Sequence, residues 1–137
     1  MADINYKFGK ELTLHFEKAN VEPNTTTDLT FGQGGAGFKV PPGYDFCPEI
    51  MHAESNADLT GGTATFGVID DGTLVSNGPA PVLNDTVQVA VAEVNPLVVR
   101  IPAGSIVGVE VVTSAAYAPN TADLDVVLYG RLVPVES

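Results

Sequence analysis

Residues 95–133 read NPLVVRIPAGSIVGVEVVTSAAYAPNTADLDVVLYGRLV, and their hydrophobic pattern decides the fold class. Three apolar runs, 97–101, 106–113 and 124–133, are rich in β-branched and aromatic residues. Pro102-Ala103-Gly104-Ser105 and the polar stretch 114–123 separate them, so each run is expected to be a strand. In the middle run Val107, Val109 and Val111 share one face, while Ile106, Gly108, Glu110 and Val112 share the other. In the last run Leu124, Val126, Leu128 and Leu132 fall together. Asp125, Val127, Tyr129, Arg131 and Val133 lie opposite, a set amphipathic enough for a sheet edge or a subunit contact.

Working outward, residues 85–94 alternate Val87, Val89 and Val91 against Gln88, Ala90 and Ala92, a further strand pattern. Upstream, Thr63–Ile69 alternates and meets Asp70-Asp71-Gly72, which turns the chain back into Thr73-Leu74-Val75 as a hairpin. Residues 46–56, FCPEIMHAESN, read as a half-exposed strand. Phe31 to Phe46 reads as a glycine loop, a short strand over 37–40 and a proline turn. At the start, Leu12, Leu14 and Phe16 alternate with Thr13, His15 and Glu17. The following VEPNTTTD, 21–28, reads as a loop or extended connector.

About eight short strands with regular turn signals and no helix predict an all-β chain, an antiparallel β-sandwich, with the jelly roll as one form of it. Residues 21–137 form the sandwich domain. Residues 1–20 are either an N-terminal arm or the first strand of that sandwich.

A chain of 137 residues makes one domain of 14.3 kDa, which at this size buries roughly two thirds of its unfolded surface. Hydrophobic residues at 45% against 17% charged exclude disorder, and no apolar run approaches the ~20 residues of a membrane-spanning helix. Seventeen acidic residues against six basic ones give a net charge of -11. That surface repels a phosphate backbone, and Lys7, Lys10, Lys18, Lys39, Arg100 and Arg131 form no basic stripe, so neither nucleic acid nor membrane is an expected partner. Cys47 is the lone cysteine, and the start lacks an apolar secretory region, which predicts residence in a cytoplasm.

No catalytic constellation emerges, and neither a cofactor nor a metal is expected. Gly32, Gly34 and Gly37 satisfy G-x-G-x-x-G, but Pro41-Pro42 forbids the helix that a dinucleotide site needs. Glu49, His52 and Glu54 invite a metal reading, yet on a strand only His52 and Glu54 share a face, and zinc takes three or four ligands. Asp70-Asp71-Gly72 lacks the further carboxylates of a calcium loop. The serines sit in no nucleophile context, and paired acids such as Asp123 and Asp125 are commonest as edge charges.

The segments FKVPPGYDF, ADLTGGTATFGVIDDGTLV, VVRIPAGSIVGVEVVTSA and DLDVVLYGRLVP together resemble the small β-sandwich decoration (cement or auxiliary capsid) proteins of tailed bacteriophages. The resemblance spans 38–134 and lies in proline-glycine turns, the IPAGS corner and the terminal strand. It implies a structural, non-enzymatic virion protein made in the host cytoplasm. It further implies a homotrimer on the outside of the head that bridges major capsid protein subunits and stabilises the shell. Family members engage the capsid through an N-terminal segment.

The candidate capsid or subunit contacts are Lys7, Lys10, Leu12, Leu14 and Phe16 in the arm, with Val127, Tyr129 and Val133 on the last strand. The alternative is a carbohydrate- or receptor-binding sandwich module of a phage or bacterial surface structure. Such modules stack sugars on aromatics, and this chain has no tryptophan and only Tyr6, Tyr44, Tyr117 and Tyr129.

Overall fold

The structure, a computed structural model, describes residues 9–85 and 88–135. These residues form eleven strands and no helix, so no helix is long and apolar enough to cross a membrane. The strands are β1 Lys10–Ala19, β2 Thr26–Asp28, β3 Thr30–Phe31, β4 Phe38–Lys39, β5 Tyr44–Ser55, β6 Thr63–Asp70, β7 Thr73–Leu74, β8 Val82–Asn84, β9 Val89–Glu93, β10 Ile106–Thr113 and β11 Asp123–Pro134. One sheet runs β3-β1-β11-β5-β9, and the other runs β2-β10-β6-β7, with β4 on β10 and β8 on β6. Every pairing is antiparallel. The fold is an all-β sandwich. The order β1-β11-β5-β9 facing β2-β10-β6-β8, with successive long strands crossing between sheets, is the connectivity of an eight-stranded jelly roll.

Alternation supplies the core. Leu14 and Phe16 of β1, Met51 and Ala53 of β5, and Leu124, Val126 and Leu128 of β11 face Phe66 and Val68 of β6 and Val107, Val109 and Val111 of β10. Phe16 packs on Phe31 with ring centroids 5.2 Å apart, within the range at which aromatic pairs attract. Phe46 passes directly under Gly130, where a Cβ would stand 2.5 Å from the ring, so only glycine fits at that point of β11. Here β5 carries an extra residue: Tyr129 pairs with Ile50 and Gly130 with Pro48, leaving Glu49 as a bulge. Proline, which has no N–H to give a ladder, is tolerated beside such a bulge.

The β6–β7 hairpin forms as its sequence predicts, with Asp71 and Gly72 both at positive φ. Asp71 also accepts a 2.8 Å hydrogen bond from the Ile106 N–H and donates its own N–H to the Ile106 carbonyl, which ties the turn to β10.

Two segments depart from their reading. Residues 97–101 do not form a strand: Asn95-Pro96 starts a turn, Leu97 takes φ 68°, and only Ile101 bridges to Phe46. Alternation survives there, with Val99 and Ile101 buried and Val98 exposed. The VEPNTTTD connector is pinned rather than loose. Thr26–Asp28 pairs with β10, and the buried Thr113 hydroxyl donates to the Glu22 carbonyl at 2.7 Å while accepting from the Thr25 N–H.

β1 lies inside its sheet, between β3 and β11, and pairs with β11 along all its ten residues. A chain starting at Val21 therefore exposes two unpaired strands and removes Leu14 and Phe16 from the core. Losing two such side chains costs roughly 4–9 kcal/mol, comparable with the whole stability of a domain. That truncated chain is expected to lose its cooperative thermal melt by circular dichroism. A retained melt would show β1 to be dispensable.

Candidate functional site

Strand parity sends Glu11, Thr13, His15 and Glu17 of β1 to the outside of the five-stranded sheet, together with Asp125, Val127 and Tyr129 of β11. The registers align them in rows with β5 and β9. Thr13, Tyr129, Ile50 and Glu93 form one row, and His15, Val127, His52 and Val91 the next. Glu17, Asp125, Glu54 and Val89 form a third. On this face Tyr129 is 43% exposed, Val89 49% and Val91 59%, and Val127 and Ile50 are half-buried beside them. β9 ends the sheet, and its outer backbone edge has no partner strand among the described residues. An edge strand with outward valines is open to pairing with another chain.

The proposed contact residues separate on this frame. Val127 and Tyr129 lie on the outer face. Lys10 is exposed at the start of β1, and Leu12 is half-buried against the core. Leu14 and Phe16 are corrected: both are buried in the chain's own core, so neither side chain is free to enter a neighbour. Val133 is corrected as well, being 5% exposed. Its cross-strand partner Asp45 is held by Arg100 at 2.9 Å, and Gly9 lies so close that a Cβ there would stand 3.0 Å from Val133 Cγ2. Lys7 lies outside the described residues.

Comparison with protein-family models and with curated proteins finds no match.

Glu49 and His52 do not form a ligand set. Glu49 instead accepts from Arg131 Nε at 2.6 Å across the bulge, a half-buried pair that joins β5 to β11. A different cluster stands on β1 and β11. His15, Glu17 and Asp125 each offer a ligand atom, all within 4.8 Å of one another, and His15 Nε2 lies 3.1 Å from Asp125 Oδ1. These donors suit a divalent cation held weakly at an open surface; a closed structural zinc site would bury four. No sequence signal announces this cluster, because His15 and Asp125 are 110 residues apart and only the β1–β11 register joins them.

Two titratable groups away from this face, Cys47 and Glu110, are buried. Cys47 is fully buried, and burial pushes its thiol up, against the smaller downward pull of Arg100. A thiol kept protonated and inaccessible is inert. Glu110 is the one acidic residue of β10. Burial, with the Asp28 carboxylate across the strand pair adding to it, holds its carboxyl above the usual carboxylate range. Sequence placed Glu110 on the mixed face of β10 but carried no sign that it would be nine-tenths covered.

Cys47 is expected to resist iodoacetamide in the native protein and to react on unfolding; rapid native labelling would place it at the surface. The second expectation concerns stability. The folded state holds the Glu110 proton more tightly than the unfolded chain, so this group's contribution is complete below about 4.5 and is lost as pH rises through the folded value. Glu110→Gln removes that loss. It should raise the thermal midpoint at neutral pH, at roughly 4 °C per kcal/mol for a chain of this size, with the gain fading on acidification. A lower midpoint at neutral pH would contradict it.

Proposed function

We propose that the protein is a non-enzymatic structural module that decorates the outside of a tailed-phage capsid as a homotrimer, bridging major capsid protein subunits. The observation that carries this reading is the outer face of the β3-β1-β11-β5-β9 sheet. There Tyr129, Val127, Ile50, Val91 and Val89 form an apolar stripe that leads to the open edge of β9. Contiguous exposed apolar surface of this kind supports a contact role. Copies related by a threefold axis and packed on it would cover the valines and satisfy the unpaired edge together.

Fold-level analogy supports the same class, since jelly rolls recur in viral capsid domains, although fold alone does not set function. The resemblance of 38–134 to decoration proteins adds the particular setting. A lectin-type reading has less support, because Tyr117 is buried and Tyr129 stands on the stripe without a second exposed ring beside it among the described residues.

Light scattering on the isolated protein is expected to give three times the 14.3 kDa chain mass. Val91→Lys and Tyr129→Glu are each expected to shift that mass to one chain without loss of the melt, and to abolish attachment to purified phage heads. A monomeric wild type that also fails to bind heads would overturn the reading.

A further inference from the structure

The second sheet carries a groove that belongs to none of this. It lies on the outer side of β6 and β10, holds about 270 Å³, and is walled by Leu74, Val75, Val112 and the 76–80 segment. Position 67 has no side chain, and Leu74 lies over it: a Cβ on Gly67 would stand 2.6 Å from Leu74 Cδ1. Gly67 is the cross-strand neighbour of Glu110 on one side, and Asp28 is its neighbour on the other. The only charged group lining the groove is therefore Glu110, 9% exposed, with neither an ion pair nor a hydrogen bond on its carboxylate among the described residues.

A carboxylate nine-tenths covered, with no protein donor and solvated only through the groove, is held at a cost. Nothing in the fold requires it, since a glutamine or an apolar residue would fill the same position of β10. The adjoining groove, of about 300 Å³, adds Asp28 and Asp71, and no lysine or arginine lines either one. Apolar walls and a mostly covered anionic end, with Lys39 the cation of the same sheet face lying farther along β10 opposite Ile106, describe the complement of a cation carried on an aliphatic stem.

We propose that this groove is a docking site for an arginine side chain of a second, different protein, the guanidinium bridging both oxygens of Glu110 and the stem lying on Leu74 and Val112. Arginine fits better than lysine for two reasons. Both carboxylate oxygens are free, which suits a planar fork, and a guanidinium is less strongly hydrated than an ammonium and so enters an apolar groove at less cost. The partner is not another copy of this chain. Its two arginines, Arg100 and Arg131, already hold Asp45 and Glu49. The proposal stands apart from the decoration reading, because it uses the opposite sheet and is tested on the isolated protein.

The test is a titration of the isotope-labelled full chain with acetyl-Leu-Arg-amide, followed by backbone amide shifts. The expected result is a saturable change confined to Gly67, Leu74, Glu110, Val112 and their neighbours. The citrulline analogue, equal in shape and uncharged, should leave these amides unmoved. Glu110→Gln, which keeps the fold, and Leu74→Lys, which fills the groove with a cation, should each weaken binding about a hundredfold, the scale for losing one partner of a desolvated charge pair. Shifts spread over the acidic surface, equal shifts with citrulline, or binding unchanged in Glu110→Gln would each overturn the site. Equal affinity for the lysine analogue would overturn the choice of arginine, and a fall in the molar mass of the peptide-free protein caused by Leu74→Lys would make the occupant a second copy.

Discussion

The structure depends on the meeting of β11 with β1, the last strand with the first. β11 is the middle strand of its sheet, paired with β1 from Lys10↔Leu132 to Ala19↔Asp123 and with β5 from Leu124↔Ser55 to Pro134↔Tyr44. Until the C-terminal strand arrives, β1 and β5 lack a shared neighbour, and the buried faces of Leu14, Phe16 and Met51 lack the floor formed by Leu124, Val126 and Leu128. The two ends of the chain thus close the core, and the contacts that do so are the most distant in sequence. Folds dominated by such pairings form slowly, because loop closure must come before the contacts that reward it.

The same closure sets the two outward faces apart. With β11 central, its outward residues gather partners from β1 on one side and β5 on the other, so Val127 and Tyr129 become the middle of a stripe rather than an edge. The bulge at Glu49 lets Arg131 reach its carboxylate across the sheet while Phe46 slides beneath Gly130. A bulge that serves packing inside and ion pairing outside explains why Pro48 can sit within a strand paired on both sides elsewhere along its length.

Much of this was legible in the residues. The 106–113 run is β10 to the residue, 124–133 falls within β11, and Asp71-Gly72 makes the hairpin turn, since each rests on alternation or on turn chemistry that a few neighbours determine. What failed was decided at a distance. Residues 97–101 have strand composition but find only a bridge at Ile101, and VEPNTTTD, of loop composition, stays a connector over 21–25 while Thr26–Asp28 pair as β2 on β10 beside the Thr113 hydrogen bonds. For β9 the small residue Ala90 packs against the core and Val89 and Val91 face out, a parity that alternation alone leaves open. For Leu14 and Phe16 the sequence leaves both an arm and a strand of the chain's own sandwich open for the same reason: a period-two pattern shows that one face is buried without showing against which chain.

Glu110 is the clearest case of a local rule broken without structural return. Along β10 every other enclosed position is valine, glycine or threonine, each suited to a pleated, covered surface. A carboxylate in that series weakens the free protein, and its neighbour Asp28 worsens the cost by placing a like charge directly across the pair. Sequences that specify one fold are locally consistent except where another demand competes. Gly67 sharpens the point, for the missing side chain gives Leu74 room to lie over β6, and the groove that both line with Glu110 leaves the carboxylate a path to solvent and so to a cation.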